Sequence, residues 1–135
     1  MKRRVLVVAA LIERGDEVLV ARRKPVGERA NLWEFPHDPL HAGETPEAAA
    51  LRMLPHLTGV TADLGPELAT LTHGVTRFRI TLVCLEAAYV SGRLQSSYYQ
   101  QCRWVRPAQL AGFPFSAPQR RLAQLLVTTS QPRLF

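Results

Sequence analysis

An unbroken run of eight apolar residues, Val5–Ile12, constrains the fold of this chain more than any other feature. A valine-rich run of this length is typical of a strand that is buried inside a sheet. It is much shorter than the ~18 to 20 apolar residues that cross a membrane. The run ends at Glu13–Asp16 without a small-residue cleavage site, which disfavours a secretion signal. We therefore expect residues 3–12 to form an internal strand of a protein that does not enter a membrane.

The remaining pattern predicts more strands and two helices. Gly15-Asp16 marks a tight turn that leads into a hairpin partner at Glu17–Arg23. Later extended segments are expected at Leu32–Pro36, Glu67–Thr72, Arg77–Ala88 and Cys102–Val105, loops at 24–31 and 37–44, a helical turn at 106–110, and helices at 46–58 and about 117–127. Strands with two helices packed on them predict one α+β domain over residues 1–135.

The first helix has clear sequence signals at both ends. Thr45 is a favourable N-cap, Pro46 suits the first helical position, and Glu47 complements the positive end of the helix dipole. Gly59 is expected to end the helix. Pro55 cannot donate a backbone hydrogen bond, so we expect it to kink or shorten the last turn.

The charge and the cysteines indicate an anionic partner and a reducing compartment. The formal net charge is +6, and Lys2 and Lys24 are the only lysines among 17 basic residues. Arginine binds phosphate in a two-pronged way, although the arginines are spread along the sequence and a composition bias of the organism explains them equally well. Cys84 and Cys102 match no metal or disulfide spacing, so we expect buried, reduced thiols in a cytoplasmic protein.

The segment from Leu32 to Val60 resembles the Nudix superfamily, whose box reads Gly, five residues, Glu, seven residues, Arg-Glu-U-x-Glu-Glu-x-Gly-U, with U aliphatic. The box positions that this chain keeps are Glu44, Arg52, Leu54, Gly59 and Val60. The positions that it changes are Asp38 for Gly, and Met53, His56 and Leu57 for Glu. The resemblance implies the Nudix fold, a mixed β-sheet sandwiched between α-helices, with a degenerate Nudix box.

The changed positions are those on which diphosphate hydrolysis depends. The reaction needs Mg²⁺ or Mn²⁺, and such cations prefer oxygen ligands. Three carboxylates at i, i+3 and i+4 would lie on one face of the helix, where this chain has Met53, His56 and Leu57. We therefore expect hydrolysis to be lost or weak, with Glu44 and Arg52 as the remaining catalytic candidates. Any metal would be held weakly by Glu44 and His56.

Two other metal sites stay open at this point. A rebuilt site for Mg²⁺ or Mn²⁺ would draw on the remaining carboxylates near the loop and on a later strand, Glu34, Glu44, Glu47 and Glu86. A transition-metal site would draw on His37, His41 and His56. The ordinary alternatives are a helix-dipole role for Glu47, solvated strand positions for Glu34 and Glu86, and a polar surface for the loop histidines.

A narrower resemblance is to the C-terminal Nudix-like domain of adenine DNA glycosylases. The segments that carry it are 71–78, 104–107 and 113–119. In that domain a hydroxyl residue three positions after a histidine takes part in recognising 8-oxoguanine, and Thr76 occupies this slot after His73. The chain has neither the glycosylase helical domain nor the cysteine-rich cluster loop. The resemblance implies an oxidised purine nucleotide or 8-oxoguanine-containing DNA as partner, for a stand-alone relative or an excised domain.

The expected pocket is floored by strands and walled by residues 22–36 and 113–120. Phe35 or Phe78 would stack on a purine, and Arg22 or Arg23 would bind phosphate. The polar candidates for nucleotide binding are Thr76, Ser116 and Gln119. The ordinary alternatives, which are the more frequent ones, are core positions for the two phenylalanines and solvated strand ends for the two arginines. Three functions follow: a nucleotide-binding Nudix module, an active Nudix hydrolase with a displaced metal site, and a structural or interaction domain.

Overall fold

The computed structural model describes residues 3–75 and 77–130. The strands are β1 Arg3–Arg14, β2 Glu17–Arg22, β3 Trp33–Glu34, β4 His37–Pro39, β5 Val60–Val75, β6 Phe78–Gly92 and β7 Gln101–Val105. The helices are α1 Pro46–Thr58 and α2 Ala117–Ser130, with a 3₁₀ helix at Pro107–Gly112. The strands form one sheet in the order β3-β2-β1-β6-β5, with β4 paired to β1 and β7 to β2. Because β1 runs parallel to β6 and antiparallel to β2 and β4, the sheet is mixed and the predicted α+β architecture is confirmed.

The central strand β1 contributes to a core on each face of the sheet. Its even-numbered apolar residues Val8, Ala10 and Ile12 pack in a cluster with α1. Its odd-numbered residues Val7, Ala9 and Leu11 pack in a second cluster with Leu122 and Leu126 of α2. Successive side chains of a strand point to opposite faces, so a strand covered by helices on both sides is apolar at every position. This double burial explains the apolar residues Val7–Ile12, whereas Leu6 near the start of the run is exposed.

Helix α1 begins and ends where the sequence predicts. The Thr45 hydroxyl accepts a hydrogen bond of 3.1 Å from the amide of Ala48. Gly59 adopts a left-handed conformation with φ of 81°, and its amide bonds the Pro55 carbonyl. A Cβ at position 59 would lie 2.5 Å from the Arg93 carbonyl oxygen, so a side chain does not fit there. Pro55 is exposed and the helix continues to Thr58, so the expectation of a shortened last turn is wrong.

Two segments differ from the predicted elements. The predicted loop 37–44 contains the strand β4, which pairs with β1. Strand β5 spans 16 residues and begins at Val60, although the sequence predicts a strand from Glu67. Gly65 and Pro66 interrupt the pattern, and the pairing with β6 shifts register between Leu64 and Glu67. A bulge accommodates these residues, because a proline cannot donate to a sheet ladder. Neither helix in 3–75 and 77–130 is long and apolar enough to span a membrane.

Candidate functional site

A cavity of about 580 Å³ opens on the α2 face of the sheet, near the start of β1 and β6. Its apolar wall is formed by Val5, Val7, Phe78, Ile80 and Leu82. Its polar lining includes Arg29, His37, His73, Ser116 and Gln119. Phe78 is 37% exposed, which leaves part of its ring free for a ligand. Cavities of roughly 300–1,000 Å³ with an apolar wall and a few polar groups are typical of sites for small molecules.

Gln119 is a fixed polar group of the cavity. Its side chain is buried, and Oε1 accepts a hydrogen bond of 2.9 Å from the amide of Phe35. Nε2 lies 3.3 Å from Nδ1 of His37. That nitrogen also lies 3.1 Å from the Phe35 carbonyl oxygen, which only accepts hydrogen bonds. With the proton on Nδ1 directed to this carbonyl, the amide hydrogens of Gln119 are available to a ligand.

The predicted nucleotide-binding residues are only partly brought together. Phe78, Ser116 and Gln119 line the same cavity. Phe35 is fully buried and stacks on Phe115 with ring centroids 5.6 Å apart, so it belongs to the core and cannot stack on a purine. The expectation that Phe35 stacks on a purine is therefore wrong. The sequence carries no signal that distinguishes a phenylalanine in a pocket wall from one in the core. Thr76 lies outside the described residues.

The two predicted phosphate-binding arginines do not line this cavity. Arg22 donates a hydrogen bond of 3.0 Å to Oδ1 of Asn31. Arg23 lies 3.4 Å from Oε1 of Glu34 and 3.4 Å from the Tyr98 hydroxyl. It borders a separate hollow of about 220 Å³ together with Lys24. If Arg22 or Arg23 binds phosphate, it does so outside this cavity, at the end of β2.

Glu34 is the centre of a buried polar network that the sequence does not reveal. The side chain is almost fully buried, so the expectation of a solvated strand position is wrong. Oε2 accepts a hydrogen bond of 2.8 Å from the Tyr99 hydroxyl and lies 3.4 Å from Nδ1 of His37. Burial, followed by the charge of Glu34, raises the pKa of Tyr99. Glu34 therefore connects the cavity residue His37 with Arg23 on the other side.

The face of α1 that would carry metal-binding carboxylates is part of the core. Met53 is fully buried and Leu57 is 4% exposed, and both pack in the cluster between α1 and the sheet. His56 lies on the exposed side of the helix. Positions 53 and 57 are one helical turn apart, so their side chains share one face. This face is apolar and excludes water. A hard cation needs oxygen ligands such as carboxylates and water, and this face offers neither.

Arg52 has two carboxylate partners. Its Nε and Nη2 bond the two oxygens of Glu44 at 2.9 and 3.0 Å, and its Nη1 bonds Asp38 at 2.9 Å. Asp38 stands where the Nudix box has glycine. Arg52 is therefore paired with two carboxylates from the segment before α1. The hydrogen bond from Arg52, followed by one from the His41 amide, lowers the pKa of Glu44 to about 2.

The donor set does not fit Mg²⁺ or Mn²⁺. Within residues 3–75 and 77–130 there is no group of three His, Cys, Asp or Glu side chains that could hold a metal. Both oxygens of Glu44 accept hydrogen bonds from Arg52, and one of them also accepts from the His41 amide. A cation would have to displace a bidentate arginine, which is among the strongest partners of a carboxylate. His37, His41 and His56 likewise form no such group within the described residues, so the expected transition-metal site is not formed by them.

The Glu44–Arg52 pair makes stability depend on pH in acid. Because the pKa of Glu44 is lowered from its usual 4.5 to about 2, the pair stabilises the folded protein fully above pH ~4.5 and not below pH ~2. We expect Glu44→Gln to lower stability by a constant amount above pH ~5, and by a shrinking amount as pH falls toward 2. Urea unfolding across this range measures the difference. In an Arg52→Gln background the pH dependence should largely disappear, and its persistence there would contradict the assignment.

Comparisons with known proteins agree with this fold. The sequence matches the family described as NUDIX domain over residues 7–125. It is 30% identical to the CTP pyrophosphohydrolase of Escherichia coli over 110 residues, which cover 82% of each chain. It is 36% identical to the putative 8-oxo-dGTP diphosphatase 2 of Mycobacterium tuberculosis over 78% of this chain and 75% of that protein. The solution structure of the E. coli ORF135 protein superposes with a TM-score of 0.85 at 25% identity, covering 98% of this chain and 95% of that one. The chain belongs to the Nudix hydrolase family.

Proposed function

We propose that this Nudix-family protein binds a nucleotide, in particular an oxidised purine nucleotide, and that its diphosphate hydrolysis is lost or weak. One observation carries the second half of the proposal: Met53 and Leu57 are buried in the core at positions where the Nudix box has glutamate. The Glu44 carboxylate, which the box keeps, is held by Arg52. A scaffold that retains its fold without its metal-binding atoms is suited to binding.

The cavity on the α2 face supports a nucleobase as ligand. The exposed part of the Phe78 ring offers a stacking surface, and the Gln119 amide offers hydrogen-bond donors beside it. His73 adds a further polar group, because its buried Nδ1 has no hydrogen-bond partner. Burial, followed by the positive charges of Arg29 and Arg121, lowers the pKa of His73.

Two independent similarities favour a purine. The segment around His73 and Phe78 resembles the domain with which adenine DNA glycosylases sense 8-oxoguanine. Relatives in Mycobacterium tuberculosis, Escherichia coli and Proteus vulgaris are named 8-oxo-dGTP diphosphatases. Another relative is named CTP pyrophosphohydrolase, so cytidine nucleotides are the natural comparison ligands.

Calorimetric titration with 8-oxo-dGMP, dGMP and CMP tests the proposal. We expect 8-oxo-dGMP to bind equally well in Mg²⁺ and in a chelator, because the donor set does not fit a hard cation. Phe78→Ala should weaken it by about 10- to 100-fold, since stacking on an aromatic ring contributes ~1–3 kcal/mol per base. Val90→Ala, at an exposed apolar position on the same strand, is the matched control. Absence of binding by all three nucleotides contradicts the proposal.

The activities named for the relatives favour a second candidate, an active hydrolase with a displaced metal site. Phosphate and pyrophosphate release from 8-oxo-dGTP, dGTP and CTP with Mg²⁺ or Mn²⁺ distinguishes the two. We expect turnover at background. Turnover of roughly 1 per second or faster, abolished by Glu44→Gln, would establish the hydrolase instead.

A further inference from the structure

Two pairs of arginines that are distant from each other in the sequence meet at one end of the sheet. Strands β1 and β6 pair in parallel, which places Arg3 beside Phe78 and Arg4 beside Arg79. The amide of Arg3 also bonds the Arg77 carbonyl at 3.0 Å. All four arginine side chains are exposed. We call Arg3, Arg4, Arg77 and Arg79 the arginine corner. The arginines look scattered in the sequence, and the fold concentrates these four.

The positive charge of the arginine corner is not neutralised locally. Of the ion pairs formed by the described residues, none includes an arginine of the corner. The strand segments that build it, 3–8 and 70–82, contain neither Asp nor Glu. The carboxylates of β1, β5 and β6 lie toward the other end of the sheet. There, burial and, to a smaller extent, the charge of Glu86 raise the pKa of Glu13. Two carboxylates, Glu28 and Asp38, line the neighbouring cavity, and Asp38 is paired with Arg52. The four arginines therefore keep a net positive charge that attracts anions.

The arginine corner is continuous with the cavity on one face and extends beyond it on the other. Arg3 lies beside Phe78, and paired residues of neighbouring strands point to the same face. Val5, a cavity residue, follows Arg3 by two positions, which is about 7 Å along the strand. Strand alternation directs Arg4 and Arg79 to the opposite face of the sheet. A single nucleotide in the cavity is too short to reach both faces.

We propose that the arginine corner binds the phosphodiester backbone of a single-stranded nucleic acid whose unpaired base occupies the cavity. The inference rests on the proposed nucleotide binding and extends it from a free nucleotide to a strand. Arginines bind successive phosphates on either side of the sheet end while Phe78 stacks on the base. The strand has to be single, because a base inside a cavity cannot pair with a complement.

Fluorescence anisotropy with a labelled 12-mer oligothymidylate that carries one central 8-oxoguanine tests the proposal. We expect the oligonucleotide to bind at least 10-fold more tightly than 8-oxo-dGMP at low salt, and more tightly than the same strand in a duplex. Arg4→Gln with Arg79→Gln should lower the dependence of log affinity on log salt by about 1.4, at ~0.7 per phosphate contact. Affinity for 8-oxo-dGMP should stay unchanged, since these two arginines lie away from the cavity. An RNA strand of matched sequence separates DNA from RNA as the preferred polymer.

The control variant combines Arg93→Gln with Arg106→Gln, which removes the same charge from exposed positions outside the arginine corner. Equal losses in the two double variants would overturn the proposal, because the effect would then depend on net charge alone. It would also be overturned by an oligonucleotide that binds no more tightly than 8-oxo-dGMP, a result that leaves the proposed function standing. A third outcome would reject both the placement of a base in the cavity and the proposed function. In it, the oligonucleotide binds equally well to wild type and Phe78→Ala, and no mononucleotide binds.

Discussion

Replacing Met53, His56 and Leu57 together by glutamate is expected to unfold the protein rather than to rebuild a metal site. Met53 and Leu57 are buried between α1 and the sheet. Removing a buried Met or Leu side chain costs roughly 2–5 kcal/mol, and burying a carboxylate in its place adds to the cost. The sum approaches the roughly 5–15 kcal/mol that stabilise an ordinary domain. Adding Pro55→Gln should not rescue the variant, because Pro55 is exposed and does not end the helix.

Circular dichroism during urea unfolding measures this effect. His56→Glu alone is the first control, because it changes the exposed position of the three and should leave stability nearly unchanged. Met53→Leu is the second control, since it preserves apolar volume at a buried position and should cost less than ~1.5 kcal/mol. A triple variant that stays folded and binds Mg²⁺ with micromolar affinity would show that the helix face can still hold a metal.

The elements set by local chemistry are the ones that the sequence predicts well. The hairpin turn at Gly15-Asp16 and the Thr45 and Gly59 ends of α1 depend on residues near one another in the chain. The burial of Val7–Ile12 on both faces of the sheet follows from its unbroken apolar run. The cavity residues Phe78, Ser116 and Gln119 also lie together, as the expected pocket walls imply. Local patterns predict the turn and the helix ends because their partners are close in sequence, and the apolar run predicts that both faces of β1 are buried.

The features that the sequence misses depend on which distant segments meet. Asp38 and Glu44 become partners of Arg52 only because the loop before α1 folds back along the helix. From the sequence, Glu34 resembles a solvated strand residue. In the structure it is buried and bonded by Tyr99, which lies 65 positions further along the chain. The sequence gives no reason to treat Phe35 and Phe78 differently. In the structure the ring of Phe35 stacks on Phe115, whereas Phe78 lines the cavity. Such tertiary contacts leave no periodic pattern, and they decide which candidate residues can bind a ligand.

Glu34→Ala is expected to destabilise the protein by about 3 kcal/mol, because it removes one partner from a buried charged network. The change would leave the Tyr99 hydroxyl without its acceptor and the Arg23 guanidinium with the Tyr98 hydroxyl alone, and Nε of Arg23 is already buried without a hydrogen bond. Glu34→Gln keeps an acceptor for Tyr99 and should cost less. Differential scanning calorimetry of the two variants and the wild type gives the comparison.

The same network gives a second, independent readout at the cavity. Glu34 lies beside His37, and the Phe35 amide next to it holds Gln119. We therefore expect Glu34→Ala to weaken 8-oxo-dGMP binding although Glu34 itself does not line the cavity. Tyr99→Phe is the matched variant, because it removes a donor from Glu34 but leaves the carboxylate beside His37; it should cost about 1 kcal/mol of stability with little change in binding. If the two variants weaken binding in proportion to their loss of stability, the network only supports the fold. A larger loss of affinity in Glu34→Ala than its stability predicts would show that Glu34 positions His37 for the ligand.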